Sequence, residues 1–213
     1  MADRKPFDLK RHLPSTAFAV ILLVLVAAFG GIFIFAGVYN IGADAPHSSV
    51  VFGLLKEFRE DAIAHHARAV SAPRDLNDPR RIAAGAGLYQ EMCTGCHLGP
   101  GVEPSELSQG LYPAAPQLAR GDDLSPAEQF WTIKHGVKLT AMPAWGKTHS
   151  DELIWDMVSF IRQLPKMSPG QYRAAIASAP EDHEEMMEHM QGGEQHDTAA
   201  EPHGHSHPAG HHH

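Results

Sequence analysis

Cysteine is almost missing from this chain of 213 residues: only Cys93 and Cys96 occur, three positions apart. Two cysteines cannot build a disulfide framework, so their spacing has to be read as chemistry. Lysine and arginine are absent from Glu181 onward, where eight carboxylates gather. The other 17 acidic residues match the 17 basic ones, so the body is near neutral and the formal charge of −8 belongs to the tail. No basic stripe exists for a nucleic-acid partner. Internal repeats are lacking too, and only one long apolar run is found.

That run is Thr16 to Val38, TAFAVILLVLVAAFGGIFIFAGV, 23 residues without a charge. At a helical rise of about 1.5 Å per residue it spans roughly 35 Å, enough to cross a bilayer. Arg4, Lys5, Lys10 and Arg11 precede it. The positive-inside tendency then puts residues 1–15 in the cytoplasm and everything after Tyr39 outside, on the periplasmic side of a bacterial inner membrane. The competing reading is a cleaved signal peptide, with Ala43-Asp44-Ala45 as the small-residue pattern. Its apolar stretch would normally be only about 7–15 residues long, and Pro46 would follow the cut, so an uncleaved anchor is the preferred expectation.

Residues 39–77 form the next region. Within it, 48–70 place Val51, Leu54, Leu55, Phe58 and Ala62 at helical spacing, with Ser48 or Ser49 able to cap the start. This amphipathic helix has two open destinations: the membrane surface or a partner subunit, and its own domain. From Asp78, DPRRIAAGAGLYQ predicts a helix with Pro79 at an early position, running into the cysteines. The Gly- and Pro-rich stretch from Leu98 to Leu124 predicts a long ordered loop, which needs something large to organise it. Ser125-Pro126-Ala127-Glu128 is a capping box opening a helix through Phe130, Trp131, Ile133 and Val137. Thr148-His149-Ser150-Asp151 is a second capping pattern, before a helix that Pro165 stops.

Cys93-Thr94-Gly95-Cys96-His97 is the haem c attachment pattern. Two thiols must reach the two vinyl groups of the macrocycle while the next residue turns its imidazole toward the iron. A thioredoxin-like dithiol lacks the expected strand–helix context here, and half a zinc site lacks a second ligand pair at suitable spacing in the body.

With these residues in view, the stretch from Asp78 to Pro165 resembles the class I cytochromes c, of the small single-haem bacterial type found in oxidase and dehydrogenase subunits. The likeness rests on Gly85 and Tyr89 before CTGCH, on Pro116-Gln117-Leu118, on KLTAMPAWG, and on a final helix with aromatics. It implies an all-α fold, a class I cytochrome c domain (residues 78–166), which the single transmembrane helix and the amphipathic helix read above precede. It further implies one covalent haem c, with His97 and Met142 as axial ligands of the iron and the Pro116 carbonyl fixing the His97 ring. Gly85 would let the first and last helices cross closely, against Trp155 or Phe160. Trp145 would pack near the haem edge or serve as an ordinary core aromatic. Methionine is usually core filler, but Met142 lies in a loop before a proline, and a thioether on the iron disfavours oxygen chemistry. His135 and His149 are the competing ligands.

Residues 167–213 read as a tail, His-rich and too poor in apolar residues to pack a core at its end. Nine of the sixteen histidines lie from His183 on. Composition makes His203, His205, His207, His211, His212 and His213 candidates for weak divalent-metal binding. The chain as a whole reads as a membrane-tethered electron carrier rather than an enzyme, serving electron donor and acceptor proteins such as a quinol oxidoreductase, a dehydrogenase, a terminal oxidase or a soluble carrier. The rival functions are metal handling through the tail, and haem-based ligand binding or peroxidase-like chemistry.

Overall fold

The structure is a computed structural model that describes residues 15–179. Every regular element among them is helical. The described residues divide into two compact units, one ending at Ala45 and the other beginning at Pro46.

The first unit carries α1 (Thr16–Phe35). Ser15 caps it, its hydroxyl accepting from the Phe18 N–H at 3.2 Å. None of its residues is buried, and it is long and apolar enough to cross a membrane. The helix stops short of the expected Val38 because Gly37 takes a positive φ of 62°, a left-handed conformation that ends helices.

The second unit is built on the crossing of α3 (Pro79–Met92) and α7 (Asp151–Ile161). Asp78 caps α3, its carboxylate accepting from the Arg80 N–H at 2.8 Å. Gly85 makes the crossing possible: a Cβ there would overlap the Asp156 carbonyl and approach Phe160 Cβ to 3.0 Å. The sequence offered Trp155 or Phe160 as the residue met. Trp155 instead turns toward α6 (Pro126–His135) and stacks on Phe130, with centroids 4.2 Å apart. Around the crossing, Leu88, Tyr89, Leu153, Ile154, Met157, Val158, Phe160 and Leu164 form the core. Arg81 pins its rim, reaching Asp75 at 2.9 Å and Glu152 and Asp156 at 2.8 Å each.

Helix α2 (Ser49–Ala67) ends on the domain. Ile63 and Ala67 are buried, and the His66 ring stacks on Trp131 at 5.5 Å and 11°. Its C-terminal half therefore takes the second of the two destinations left open by the sequence.

Two local expectations are revised. Ser150, not Thr148, caps α7, accepting from the Leu153 N–H, while the Thr148 hydroxyl lies 2.8 Å from His149 Nδ1. The cap with direct access to the first free N–H groups prevails over the one two residues earlier. Residues 168–177, placed in the tail by sequence, contain α8 (Pro169–Ala177), opened by a capping box between Ser168 and Gln171. Its Tyr172 is buried in the core.

Candidate functional site

The CTGCH segment is a single tight turn. Cys93 closes α3, and α4 (Thr94–His97) follows at once. Leu98 ends that turn with φ of 60°, its N–H bonded back to the Thr94 carbonyl at 3.0 Å. Such a conformation strains a leucine and needs support. Tyr89, fully buried, supplies it by donating its hydroxyl to the Leu98 carbonyl at 2.6 Å. Thr94 donates to the Tyr89 carbonyl at 3.1 Å and lies 2.9 Å from the Tyr172 hydroxyl. Ser105, the cap of the short helix α5 (Glu106–Gln109), donates to the Gly95 carbonyl at 2.6 Å. The segment is thus gripped from α3, from the following loop and from α8.

His97 is held by its ring. Nδ1 lies 2.8 Å from the Pro116 carbonyl. Since a carbonyl can only accept, the proton sits on Nδ1, and Nε2 keeps its lone pair for a metal. Burial lowers the His97 pKa, opposed by the Pro116 bond and the Asp122 charge, so the ring is biased toward its neutral, ligating form. Burial pushes the Cys93 thiol up to about 12, with the neighbouring Cys96 adding to the effect.

Met142 sits half-buried in the segment after α6. Gly136 ends α6 with φ of 65°, and a Cβ there would meet the Met142 carbonyl and Pro143 backbone at 2.7 Å. The Met142 N–H donates to Thr140 Oγ1 at 3.1 Å, and its carbonyl accepts from the Val137 N–H at 3.2 Å. Thr140 closes the loop by donating to the Val137 carbonyl at 2.8 Å. Met142 and Trp145 both pack, half-buried, against the hydrophobic cluster that includes Cys93. His149 is buried edge-on to Trp145 at 5.4 Å. His135 lies exposed on α6, its ring 4.9 Å from Trp131. The six tail histidines proposed for metal lie outside the described residues. Among the described residues no group of three His, Cys, Asp or Glu side chains is gathered for a bare metal ion.

Sequence reasoning did not single out Tyr172, Gly136 or Thr94 for the site. Gly136 carried a signal, as a glycine directly after a helix with basic residues in its last turn. Tyr172 carried none, because its contact with Thr94 joins residues 78 positions apart.

The donor set suits haem c. Two thiols and an imidazole occupy one turn, the ring nitrogen that would face iron is the one left without the proton, and a thioether lies half-buried on the same core. Fold and donor set define a class: residues 80–161 form a class I c-type cytochrome domain, whose chemistry is haem-based electron transfer. The family matching those residues is described as cytochrome c oxidase, cbb3-type, subunit III. No curated protein and no solved structure matches the chain significantly.

Proposed function

We propose that this chain is a single-span membrane electron carrier, with one covalent haem c on the periplasmic side, passing single electrons between respiratory or dehydrogenase partners. When bound, haem supplies a one-electron iron couple. Cys93 and Cys96 would hold it through thioethers, and His97 Nε2 and Met142 Sδ would ligate its iron. Met142 would raise the potential and close the position that otherwise takes oxygen or carbon monoxide. Pro116 fixes the tautomer and adds basicity to His97. Cys93 lies in the same buried cluster as Tyr89, Phe130 and Trp155, which supports a low-dielectric setting for the haem. No residue is asked to make or break a substrate bond, so the chain acts as a carrier, alone or as an oxidase-type subunit. Helix α1 and the basic residues before it support the tether and its direction.

The observation that carries this reading is the His97–Pro116 bond directly beside the double-thiol turn. The test is an optical spectrum of the oxidised and reduced protein into the near-infrared, with and without carbon monoxide. The expected result is low-spin iron, a Met-to-iron charge-transfer band and no carbon monoxide shift. High-spin iron, or ready binding of carbon monoxide, overturns the Met142 assignment and moves the protein toward ligand binding.

A further inference from the structure

Helix α2 has two unlike faces. One, with Ile63 and Ala67, is buried on the domain. On the other, Val50, Leu54 and Phe58 recur every fourth residue, 78, 70 and 72% exposed, with Val51 and Leu55 beside them. Side chains four apart on a helix lie one above the next, so these make a continuous apolar stripe. Residues 49–55 carry no charge at all. An apolar stripe this long is rarely left to water.

The chain itself restricts what can cover it. Residues 36–48 join the end of α1 to the start of α2, and at full extension they reach roughly 45 Å. That connection is uncharged but for Asp44. An α1 that spans a membrane therefore keeps the apolar end of α2 within reach of that same membrane. We propose that the Ser49–Phe58 half of α2 seats in the membrane–water boundary, its stripe among lipid headgroups and upper acyl chains. This deepens the membrane-anchored reading and rests on it. The tether supplies proximity, so the seat needs little intrinsic affinity. Its charges fit a seat that does not depend on anionic lipid: Lys56 and Arg59 are outnumbered by Glu57, Glu60 and Asp61. Lys56 and Arg59 are in addition engaged by Glu60, at 3.2 and 3.5 Å. With its other half fixed to α6, the helix would limit how the haem domain turns above the bilayer.

The test uses the full haem-loaded chain in phosphatidylcholine vesicles, with a nitroxide on Leu54→Cys and, separately, on Lys56→Cys. Thioether bonds at Cys93 and Cys96 leave the introduced thiol as the one labelled. The proposal expects the label at position 54 to meet oxygen severalfold more readily than a water-soluble nickel chelate, and the label at 56 to show the reverse. Free access of the chelate at both positions overturns it. So does a label at 54 shielded from both reagents with spin–spin broadening, which marks a second copy of the chain as the occupant. Flotation of the same vesicles keeps the two readings apart. Protein that fails to float overturns the anchor itself, whereas floating protein with a water-exposed position 54 overturns only the seat.

Discussion

The two segments that present His97 and Met142 are held in different ways. The His97 turn is fixed from several sides, by Tyr89, Ser105, Pro116 and Tyr172. The Met142 segment is held mainly by itself, through Thr140 and Val137, and by the close approach of Gly136. Leu139, at its tip, is fully exposed with φ of 61°. A turn locked by partners on other elements keeps its shape when one bond is lost. A loop closed on its own backbone has no such reserve. With His97 and Met142 as the proposed iron ligands, the difference predicts that the thioether would be the weaker of the two for structural as well as chemical reasons, and that the two sides can be broken separately.

The largest effect is expected from Gly136→Ala. The new Cβ would stand 2.7–2.8 Å from the Met142, Pro143 and Ala144 backbone, at a φ that disfavours any side chain. The cost is on the order of 3 kcal/mol, taken from the Met142 segment first. The near-infrared Met-to-iron band should vanish and carbon monoxide should bind, while the helical circular dichroism and the covalent haem persist. A retained band would show that the segment has more room than its contacts indicate.

Tyr89→Phe tests the other side. It leaves the Leu98 carbonyl buried without its hydroxyl donor, at a cost of about 1–3 kcal/mol. Stability against urea should fall by that amount with the Met band unchanged, because Ser105, Pro116 and Tyr172 still hold the turn. If the band is lost together with the stability, the two segments are not independent. A smaller change is expected from Thr140→Val, which keeps the branched shape and removes both bonds of the hydroxyl. About 1 kcal/mol or less of stability is at stake. The sensitive readout is the rate at which imidazole displaces the methionine, which should rise.

How far this contrast could be read from sequence follows from where the contacts lie. The CTGCH turn and the capping box at Ser125 join residues within a few positions, so they were legible. So, through the family resemblance, was the need for a small residue at Gly85, with Phe160 met as expected but the Asp156 backbone lying closer still, a matter of helix rotation that spacing cannot fix. The apolar pattern of α2 told of two faces without telling which partner each would take, because the His66–Trp131 stack joins distant elements. Helix α8 was overlooked although Ser168-Pro169-Gly170-Gln171 has the same capping logic as Ser125-Pro126-Ala127-Glu128. A nine-residue helix with a glycine in its first turn shows little periodicity. What makes it stable is Tyr172 inserted between Gly99 and Thr94, a tertiary gain invisible in the local pattern.

The smallest effect concerns pH, and it too separates the segments. Glu128 closes the capping box of α6, accepting from the Ser125 hydroxyl at 2.6 Å and its N–H at 2.7 Å. These bonds hold its pKa below the ordinary glutamate value. A carboxyl depressed on folding contributes stability above its unfolded value, near 4.5, and loses that contribution as pH falls through the folded value. Helix α6 leads directly into Gly136 and the Met142 loop, so opening its cap loosens that side and not the His97 turn. Replacing Glu128 by Gln should therefore destabilise the protein above pH 5 by roughly 0.5 kcal/mol, since solvent screens so exposed a group. The difference between variant and parent should shrink to nothing as the pH drops well below 4. Urea titrations across this range, followed by the Met band and by circular dichroism, would decide it. An equal loss in both signals at every pH would mean that the cap stabilises the whole domain as one unit, and that the Met142 segment has no weakness of its own.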